Sequence, residues 1–416
     1  MNSKYQSAGE LIDFSIGGGW GKEEPAADYS NKVAIVRGAD FPDVDNGIFD
    51  RIPVRWEKET KATKASLKAG DVILEISGGT DERPTGRTVR VSQELLDSFD
   101  CPVIPASFCR LVRPNEYVNS QYFYYWLQDM YAKGRTWNYQ NRSTGLSNFQ
   151  FKVFCEAEEV RVPSYNEQCA IAEVLCLIDK KRMANIKLND YLAEMLLAKY
   201  DQLFGPFSEE KCNGTLADLG EVVGGATPSK KKEEYYCRHG IGWITPRDLS
   251  NTTDLFIAHG ADDISQAGYD SCSAKLMPKG SVLFSSRAPI GYLAIAADEV
   301  TTNQGFKSVV PKPEIGTAFV YCFLQRNKQR IADMGAGTTF PEVSGKTMKG
   351  VELELPGLEK CAELTAFAEP ILAMIQSNEC ESRELSSLRD ALLPKLMSGE
   401  IDVSKVDLTQ LNNHLA

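Results

Sequence analysis

The sequence lacks the features that mark a membrane protein or a metal enzyme. Nowhere in its 416 residues is there a run near the roughly 20 apolar residues that a membrane-spanning helix needs. Its first residues also lack the basic and then apolar order of a signal peptide. It has only three histidines, and its eleven cysteines are scattered without a CxxC pair, so free thiols are favoured over a metal site. These absences predict a cytoplasmic protein without membrane contact and without a metal.

Signatures of catalysis are lacking too. An adenine methyltransferase would carry an Asn-Pro-Pro-Tyr-type motif for a flipped base and a glycine-rich loop for S-adenosylmethionine, and the sequence has neither. Gly17, Gly18 and Gly19 do not extend to GxGxxG. We therefore expect no catalysis and no cofactor in this chain, and an enzyme with an unrecognised site is kept as a minor alternative.

An excess of positive charge is the third absence. The net charge is −11, whereas proteins that bind nucleic acid neutralise phosphates with Lys and Arg. A DNA-binding role would therefore depend on local basic clusters and on a more basic partner. The length favours two or three domains, each with its own core.

What is present is an internal repeat. "VPSYNEQCAIAEVLCLID" begins at Val162 and "LPGLEKCAELTAFA" begins at Leu355, and each opens a run of apolar residues at 3-4 spacing. This pattern predicts two helices of about 40 residues, each roughly 60 Å long, that pair as an antiparallel coiled coil. The predicted pairing residues are Ile171, Ile178, Asn185, Leu192, Leu364, Ile371, Asn378 and Leu385, and the same spacing includes Leu188, Met195, Met374 and Leu388.

Asn185 and Asn378 occupy equivalent places near the middle of the two predicted helices. In an antiparallel pair with a pseudo-twofold axis they would face each other. A buried Asn pair lowers stability but fixes the register of the helices. The alternative is that both side chains lie at the edge of the pair, in water.

The repeat continues into the segments before each helix. "LKAGDVILEISGG" from Leu67 is similar to "MPKGSVLFSSRAP" from Met277, and Gly18-Gly19 match Gly224-Gly225. Short strand-like runs with one helix in each half predict two related α+β domains. The predicted organisation is a first globular domain at 1–162, a central helix at 163–205, a second globular domain at 206–355, a C-terminal helix at 356–400 and a tail at 401–416.

The ordered set of segments resembles the specificity subunits of type I restriction-modification systems. In the second half the family's order is followed by "LGEVVGGATPSKKKEEYY", "GIGWITPRDLS", "LMPKGSVLFSSRAPIGYLAIA" and "TTNQGFKSVVP". The resemblance covers about residues 8 to 400. It implies two target recognition domains, each reading one half of a bipartite double-stranded DNA sequence. It also implies two methyltransferase subunits as partners, which would bring S-adenosylmethionine, and nuclease-translocase subunits in the restriction complex.

Candidate DNA-binding residues are basic, amide or hydroxyl side chains in predicted loops, since such groups contact phosphates and base edges. In the first domain they are Trp20, Lys22, Arg37, Arg83, Arg87, Arg135, Gln140, Asn141, Arg142 and Ser143. In the second they are Thr227, Lys230, Lys231, Lys232, Arg247, Ser285, Ser286, Arg287, Gln304, Thr338 and Thr339. A solvated loop is the alternative for the lysine cluster, and loop orientation by hydrogen bonds is the alternative for Arg287 and Gln304. For the whole chain, the alternative function is a two-headed protein-interaction scaffold without DNA binding.

Overall fold

The computed structural model describes residues 4–143, 146–287, 289–337 and 341–406, except for the side chains of residues 142, 143 and 146. The chain divides into two compact units, Met1–Ala184 with Ser382–Ala416, and Asn185–Glu381. Both units contain helices and strands. Within the described ranges, no helix is both long enough and apolar enough to cross a membrane.

In its described residues, the first unit contains twelve strands and five helices of 13 residues or fewer, besides its parts of the two long helices. The strands are β1 (Lys4–Ser7), β2 (Ile12–Gly17), β3 (Asn31–Val36), β4 (Val54–Glu57), β5 (Val72–Glu75), β6 (Ser77–Gly79), β7 (Thr88–Arg90), β8 (Val103–Pro105), β9 (Cys109–Pro114), β10 (Gln140–Ser143), β11 (Leu146–Phe149) and β12 (Glu159–Val162). The helices are α1 (Phe41–Asp45), α2 (Glu59–Lys64), α3 (Gln93–Asp97), α4 (Ser120–Ala132) and α5 (Phe151–Ala157). Two 3-10 helices lie at Ala8–Leu11 and Arg135–Tyr139.

A four-stranded sheet in the order β2-β9-β5-β7 is the main sheet of this unit. Beside it are the sheets β4-β3-β8 and β10-β11-β6 and the pair β1-β12. Helix α4 contributes Tyr122, Phe123 and Trp126 to the core. Burial of such large aromatic side chains stabilises the unit, since aromatic residues contribute strongly to core energetics.

The long helix α6 (Tyr165–Phe204) belongs to both units, because the division falls between residues 184 and 185. It begins two residues after the predicted start at residue 163.

The second unit repeats the architecture. Its strands are β13 (Gly214–Thr215), β14 (Gly220–Gly224), β15 (Tyr236–Cys237), β16 (Gly242–Ile244), β17 (Phe256–Ile257), β18 (Asp263–Ile264), β19 (Val282–Ser286), β20 (Ile290–Ala296), β21 (Val300–Thr302), β22 (Lys307–Pro311) and β23 (Glu352–Leu353). Its helices are α7 (Leu216–Leu219), α8 (Pro246–Ser250), α9 (Gln266–Asp270), α10 (Thr317–Asp333) and α11 (Gly345–Lys349), followed by α12 (Leu358–Ser398), which continues into the first unit. Further 3-10 helices are Glu209–Lys211 and Glu233–Tyr235 here, and Val403–Lys405 in the first unit.

The main sheet of this unit has the order β14-β22-β19-β20-β17. Like β3 and β8 in the first unit, β16 and β21 form a parallel pair.

The two main sheets have the same register. Gly17 pairs with Arg110 in the first unit, and Gly224 pairs with Lys307 in the second. This register matches Gly17-Gly18 with Gly224-Gly225, so the matching of Gly18-Gly19 was wrong by one residue. The register follows from the pairing of β2 with β9 and of β14 with β22, and similarity along the chain does not show this pairing.

Within each unit the long helices run antiparallel. In the first unit Arg389 of α12 donates to Asp179 of α6 at 3.1 Å. In the second unit Lys199 of α6 donates to Glu363 of α12 at 2.6 Å. Predicted pairing residues that are buried are Ile171, Ile178, Asn185, Leu192, Leu364, Ile371 and Leu385.

Several of these buried residues also pack into the globular cores, including Ile171 in the first unit and Leu364 in the second. Other positions of the predicted stripe are exposed, namely Leu188, Met195, Met374 and Leu388. The prediction that the 3-4 spacing marks the paired face of each helix is therefore wrong at these four positions. A 3.5-residue stripe drifts around a helix of 3.6 residues per turn, and the buried face follows the globular core as well as the partner helix.

Asn185 and Asn378 meet, but not as a pair of side chains. Nδ2 of Asn185 donates to the main-chain oxygen of Asn378 at 3.4 Å and to Oε2 of Glu381 at 2.7 Å. Nδ2 of Asn378 donates to Oδ1 of Asn189 at 2.8 Å. The contact is therefore a four-residue polar network, in which Asn185 is buried and Asn378 is half-buried.

Candidate nucleic-acid interface

In the second unit, polar side chains gather at one end of the main sheet. We call this end the second rim, defined by Gly224, Ser286, Ile290 and Lys307, where β14 and β19 end and β20 and β22 begin. The loops at residues 225–232 and 303–306 leave the sheet here, and the hydroxyl of Thr227 donates to Oε1 of Gln304 between them. Two of the candidate residues are thus brought together.

Cations at the second rim share one acid. Arg287 lies 3.8 Å and Lys307 lies 3.6 Å from carboxylate oxygens of Glu342. Such long, partly exposed ion pairs contribute little to stability. Arg287 therefore remains available to a ligand. Nζ of Lys307 also donates to Oγ of Ser286 at 3.5 Å and to the main-chain oxygen of Gln304 at 3.4 Å, and its side chain is only 15% exposed. Both hydrogen bonds are long, so an anion can replace them.

Ser285 and Ser286 do not belong to the accessible surface. Both are fully buried. The hydroxyl of Ser285 donates to the main-chain oxygen of Pro289 at 2.8 Å and accepts from the main-chain nitrogen of Tyr292 at 2.8 Å. These bonds hold the turn between β19 and β20, so direct contact with DNA through these serines is ruled out by burial in this structure. The sequence suggested that both serines lie in a loop after a strand, whereas they are the last residues of β19.

Three lysines of the loop at residues 225–232 are exposed, namely Lys230, Lys231 and Lys232. Nζ of Lys232 donates to the hydroxyl of Tyr235 at 2.8 Å, and this hydrogen bond raises the pKa of Lys232. Arg247 is exposed on α8. It follows Pro246, which lies close to Gly305 in the loop at residues 303–306.

In the first unit, three predicted arginines are held by buried carboxylates. Arg37 pairs with Asp40 at 2.6 Å, while Arg83 and Arg87 pair with Glu75 at 3.0 and 2.7 Å. The Glu75 side chain is only 5% exposed. A buried carboxylate that loses its partner is strongly destabilising, so these arginines have a structural role that a linear sequence cannot reveal.

Two further candidates in the first unit are also fixed. Arg135 pairs with Glu158. Oε1 of Gln140 accepts hydrogen bonds from the hydroxyls of Thr85 and Ser147, each at 2.6 Å. Gln140 therefore connects β10 and β11 to the loop before β7 and has little capacity left for a base.

The exposed candidates of the first unit are Trp20, Lys22 and Asn141. The guanidinium of Arg55 lies 4.1 Å from the Trp20 ring centre, and Nζ of Lys22 lies 4.9 Å from the Tyr29 ring centre. The main chain of Arg142 and Ser143 forms part of β10, but their side chains lie outside the described residues, as do Thr338 and Thr339.

The sequence analysis did not select two basic residues that pair with Gly17 and Gly224 in the main sheets. Arg110 and Lys307 occupy the same place in the two sheets, but neither was selected as a candidate. Nη1 of Arg110 donates to the hydroxyl of Ser15 at 3.1 Å, and its guanidinium lies 4.6 Å from the Phe151 ring centre. Burial lowers the pKa of Arg110. The signal was present, since "CRLVRP" and "GFKSVVP" carry a basic residue at matching places.

The cysteines form no disulfide bonds. All eleven are free, and burial raises the pKa of Cys109 to about 12. A thiol with a raised pKa is a poor nucleophile because the thiolate is the reactive form. In the part of the chain that is described, no group of three or more His, Cys, Asp or Glu side chains is arranged to hold a metal ion.

Comparison with known proteins shows similarity to specificity subunits of type I restriction enzymes. The family model "Type I restriction modification DNA specificity domain" matches residues 209–379. The chain is 37% identical over 176 residues to the type I restriction enzyme MjaIX specificity subunit of Methanocaldococcus jannaschii, covering 42% of this chain and 40% of that protein. It is 30% identical over 189 residues to the HindI specificity subunit of Haemophilus influenzae, covering 45% and 40%. The matched region spans less than half the length of these two curated relatives.

A solved structure extends the comparison to almost the whole chain. The S subunit of a type I restriction-modification system from M. genitalium has a TM-score of 0.55, with 15% identity and coverage of 95% of this chain and 96% of that one. At this identity the likeness shows the fold alone. It confirms the prediction of an α+β fold with two related globular domains and paired long helices.

Proposed function

We propose that this chain, which belongs to the family of type I restriction-modification DNA specificity subunits, is a non-catalytic subunit that recognises a bipartite double-stranded DNA target. Each unit would bind one half of the target. The observation that carries the proposal is that two sheets with the same register end in different polar side chains. Two related sheets with different polar side chains at their ends suit a protein that recognises two different DNA sequences.

The exposed rim residues have the chemistry that base recognition needs. Arg287, Gln304 and Arg247 at the second rim, and Asn141 and Lys22 in the first unit, can donate to or accept from base edges. In contrast, the arginines fixed by Asp40 and Glu75 support the loops. We therefore assign base contacts to the exposed set and loop support to the fixed set.

The charge of the chain supports an assembly rather than a lone DNA-binding protein. With a net charge of −11, the chain as a whole does not attract DNA phosphates, whose binding depends on an excess of Lys and Arg at the interface. We propose that two methyltransferase subunits add the basic surface, bring S-adenosylmethionine and methylate adenine, and that nuclease-translocase subunits join them in the restriction complex. Eleven free cysteines fit a reducing compartment such as the cytoplasm.

A protein-interaction scaffold without DNA binding is the second candidate, and the net charge of −11 favours it. The two candidates differ in one measurable property. DNA binding through phosphates weakens steeply as salt rises, whereas a scaffold gives no DNA binding at any salt concentration.

The experiment that tests the proposal is an exchange of the second globular domain. Residues 206–355 are replaced by the equivalent domain of another specificity subunit, and both long helices are kept. The chain is expressed with its methyltransferase subunits, and methylated motifs are read by sequencing genomic DNA. We expect one half of the motif to change while the other half stays the same.

The matched control exchanges residues 1–162 instead, which should change the opposite half. If both halves change in either exchange, the units do not read independently. If no methylation depends on this chain in its original form or in either exchanged form, the scaffold function becomes the better account.

A further inference from the structure

Gly17 and Gly224, which occupy equivalent positions in the two main sheets, have no structural reason to be glycine. Gly17 and Gly224 lie at the ends of β2 and β14, and neither has a positive φ. A Cβ atom added to either residue meets no described heavy atom within 4 Å. Both positions have room for a side chain, and β-branched residues are more favourable than glycine in strands.

The residue that follows each strand gives the contrast. A Cβ atom on Gly18 would lie 2.0 Å from the main-chain oxygen of Pro105, and one on Gly225 would lie 2.1 Å from the main-chain oxygen of Asn303. These two glycines are required by close packing of the main chain. The same explanation does not apply to Gly17 and Gly224.

Each unexplained glycine lies directly opposite a cation. Gly17 pairs with Arg110, and Gly224 pairs with Lys307. Directly opposite residues of an antiparallel pair project from the same face of the sheet. The missing side chain therefore leaves open space on the face of each sheet from which Arg110 or Lys307 projects.

The charges of these cations are poorly compensated. Among the described residues, Arg110 forms no ion pair with a carboxylate, and its Nε is buried without a hydrogen-bond partner. Among the same residues, Lys307 has one acidic neighbour, Glu342, at 3.6 Å. Its Nζ also donates to Oγ of Ser286 at 3.5 Å and to the main-chain oxygen of Gln304 at 3.4 Å, which are both long hydrogen bonds. Glycine within a strand commonly marks a site where a ligand or another backbone approaches closely. A cation next to such a glycine selects an anionic ligand.

We propose that a DNA phosphate binds at each of these positions, over Gly17 beside Arg110 in the first unit and over Gly224 beside Lys307 in the second. This inference rests on the proposed function and names the groups that hold the DNA backbone. The glycine-cation pair is the same in both units, whereas the exposed rim residues differ. Phosphates carry no sequence information, so a shared feature suits the contact common to both half-sites.

The test uses the full chain assembled with its methyltransferase subunits. Binding is measured against salt concentration on a duplex that contains the methylated motif and on an unrelated duplex. Arg110→Gln and Lys307→Gln should each make the slope of log K against log salt shallower by about 0.9, with the same loss on both duplexes. Lys68→Gln and Lys279→Gln are the matched controls, because these exposed lysines precede β5 and β19 at the opposite end of each sheet, and they should leave the slope unchanged.

The role of Gly17 and Gly224 is tested by substitutions that fill the open space above each glycine with a side chain. Gly17→Val and Gly224→Val should each weaken binding about tenfold on both duplexes, while the melting temperature stays at the original value or rises. Gly17→Ala and Gly224→Ala provide smaller fillers if a valine variant does not fold. Gly18→Val is the contrasting control, which should unfold the first unit.

The outcomes separate this inference from the proposed function. If the original assembly binds DNA and the four variants keep its affinity and salt slope, the phosphate sites are wrong and DNA recognition stands. If Arg110→Gln or Lys307→Gln weakens only the duplex with the motif, these residues read bases and the inference is overturned. If the original assembly binds neither duplex at any salt concentration, the inference and the proposed function both fail.

Discussion

The side-chain amide of Asn185 donates a hydrogen bond to the main-chain oxygen of Asn378 at 3.4 Å. The two residues hold equivalent positions in the repeat, yet they contact each other asymmetrically. Asn185 also donates to Glu381, and Asn378 donates to Asn189. The polar network thus fixes one register through several partners rather than through one pair of amides.

Replacing Asn185 by Leu should lower the stability of the second unit by about 1 to 3 kcal/mol, because the carboxylate of Glu381 would lose a donor. Thermal unfolding measures the change. Leu188→Asn, at an exposed position of the same helix, is the control and should change little. An equal or higher melting temperature for Asn185→Leu would show that the network contributes nothing to stability.

Arg87→Gln should destabilise the first unit by about 2 to 4 kcal/mol, because Glu75 would be left buried with weaker compensation. Arg247→Gln changes an exposed arginine and should shift stability by less than about 0.5 kcal/mol. The double variant Glu75→Gln with Arg87→Gln should recover part of the loss, since it removes the buried charge. Similar melting temperatures for Arg87→Gln and Arg247→Gln would refute the structural role of Arg87.

Burial raises the pKa of Asp45 to about 7, and Tyr124 donates to its carboxyl group at 3.1 Å. Between about pH 4 and this value, the folded chain holds a proton that the unfolded chain has released. Stability from this group is therefore lost as pH rises through that window. Relative to Asp45→Asn, the original chain should lose between about 1 and 4 kcal/mol from pH 5 to pH 8.

Melting temperatures at several pH values give this comparison, and Asp28→Asn, at an exposed carboxylate, serves as the control. The prediction fails if Asp45→Asn and Asp28→Asn have the same pH profile.

Lys230→Ala and Lys231→Ala should each weaken the assembly on every DNA sequence and make the salt slope shallower by about 0.9. Lys232→Ala should have a smaller effect, because its ammonium is already bonded to Tyr235. Arg287→Gln should instead relax preference at one base pair. Altered target preference with an unchanged salt slope in the lysine variants would reverse these two roles.

The sequence by itself determined the repeat and the long helices. Periodicity predicted helices from residues 163 and 356, and the observed helices begin at Tyr165 and Leu358. Local patterns suffice here because a long amphipathic helix is specified by spacing alone. The α+β class followed from short strand-like runs for the same reason.

Only the tertiary structure decided which polar residues are available to a ligand. Arg87 and Arg287 are both arginines near strand ends. Arg87 is held by the buried Glu75 at 2.7 Å, whereas the acidic partner of Arg287 in the described part of the chain, Glu342, lies 3.8 Å away. Strand pairing likewise decided that Gly17 and Gly224 are the equivalent glycines, one residue away from the match that the sequence suggested. Ion pairing, burial and register are set by residues distant in the sequence, so spacing along the chain cannot determine them.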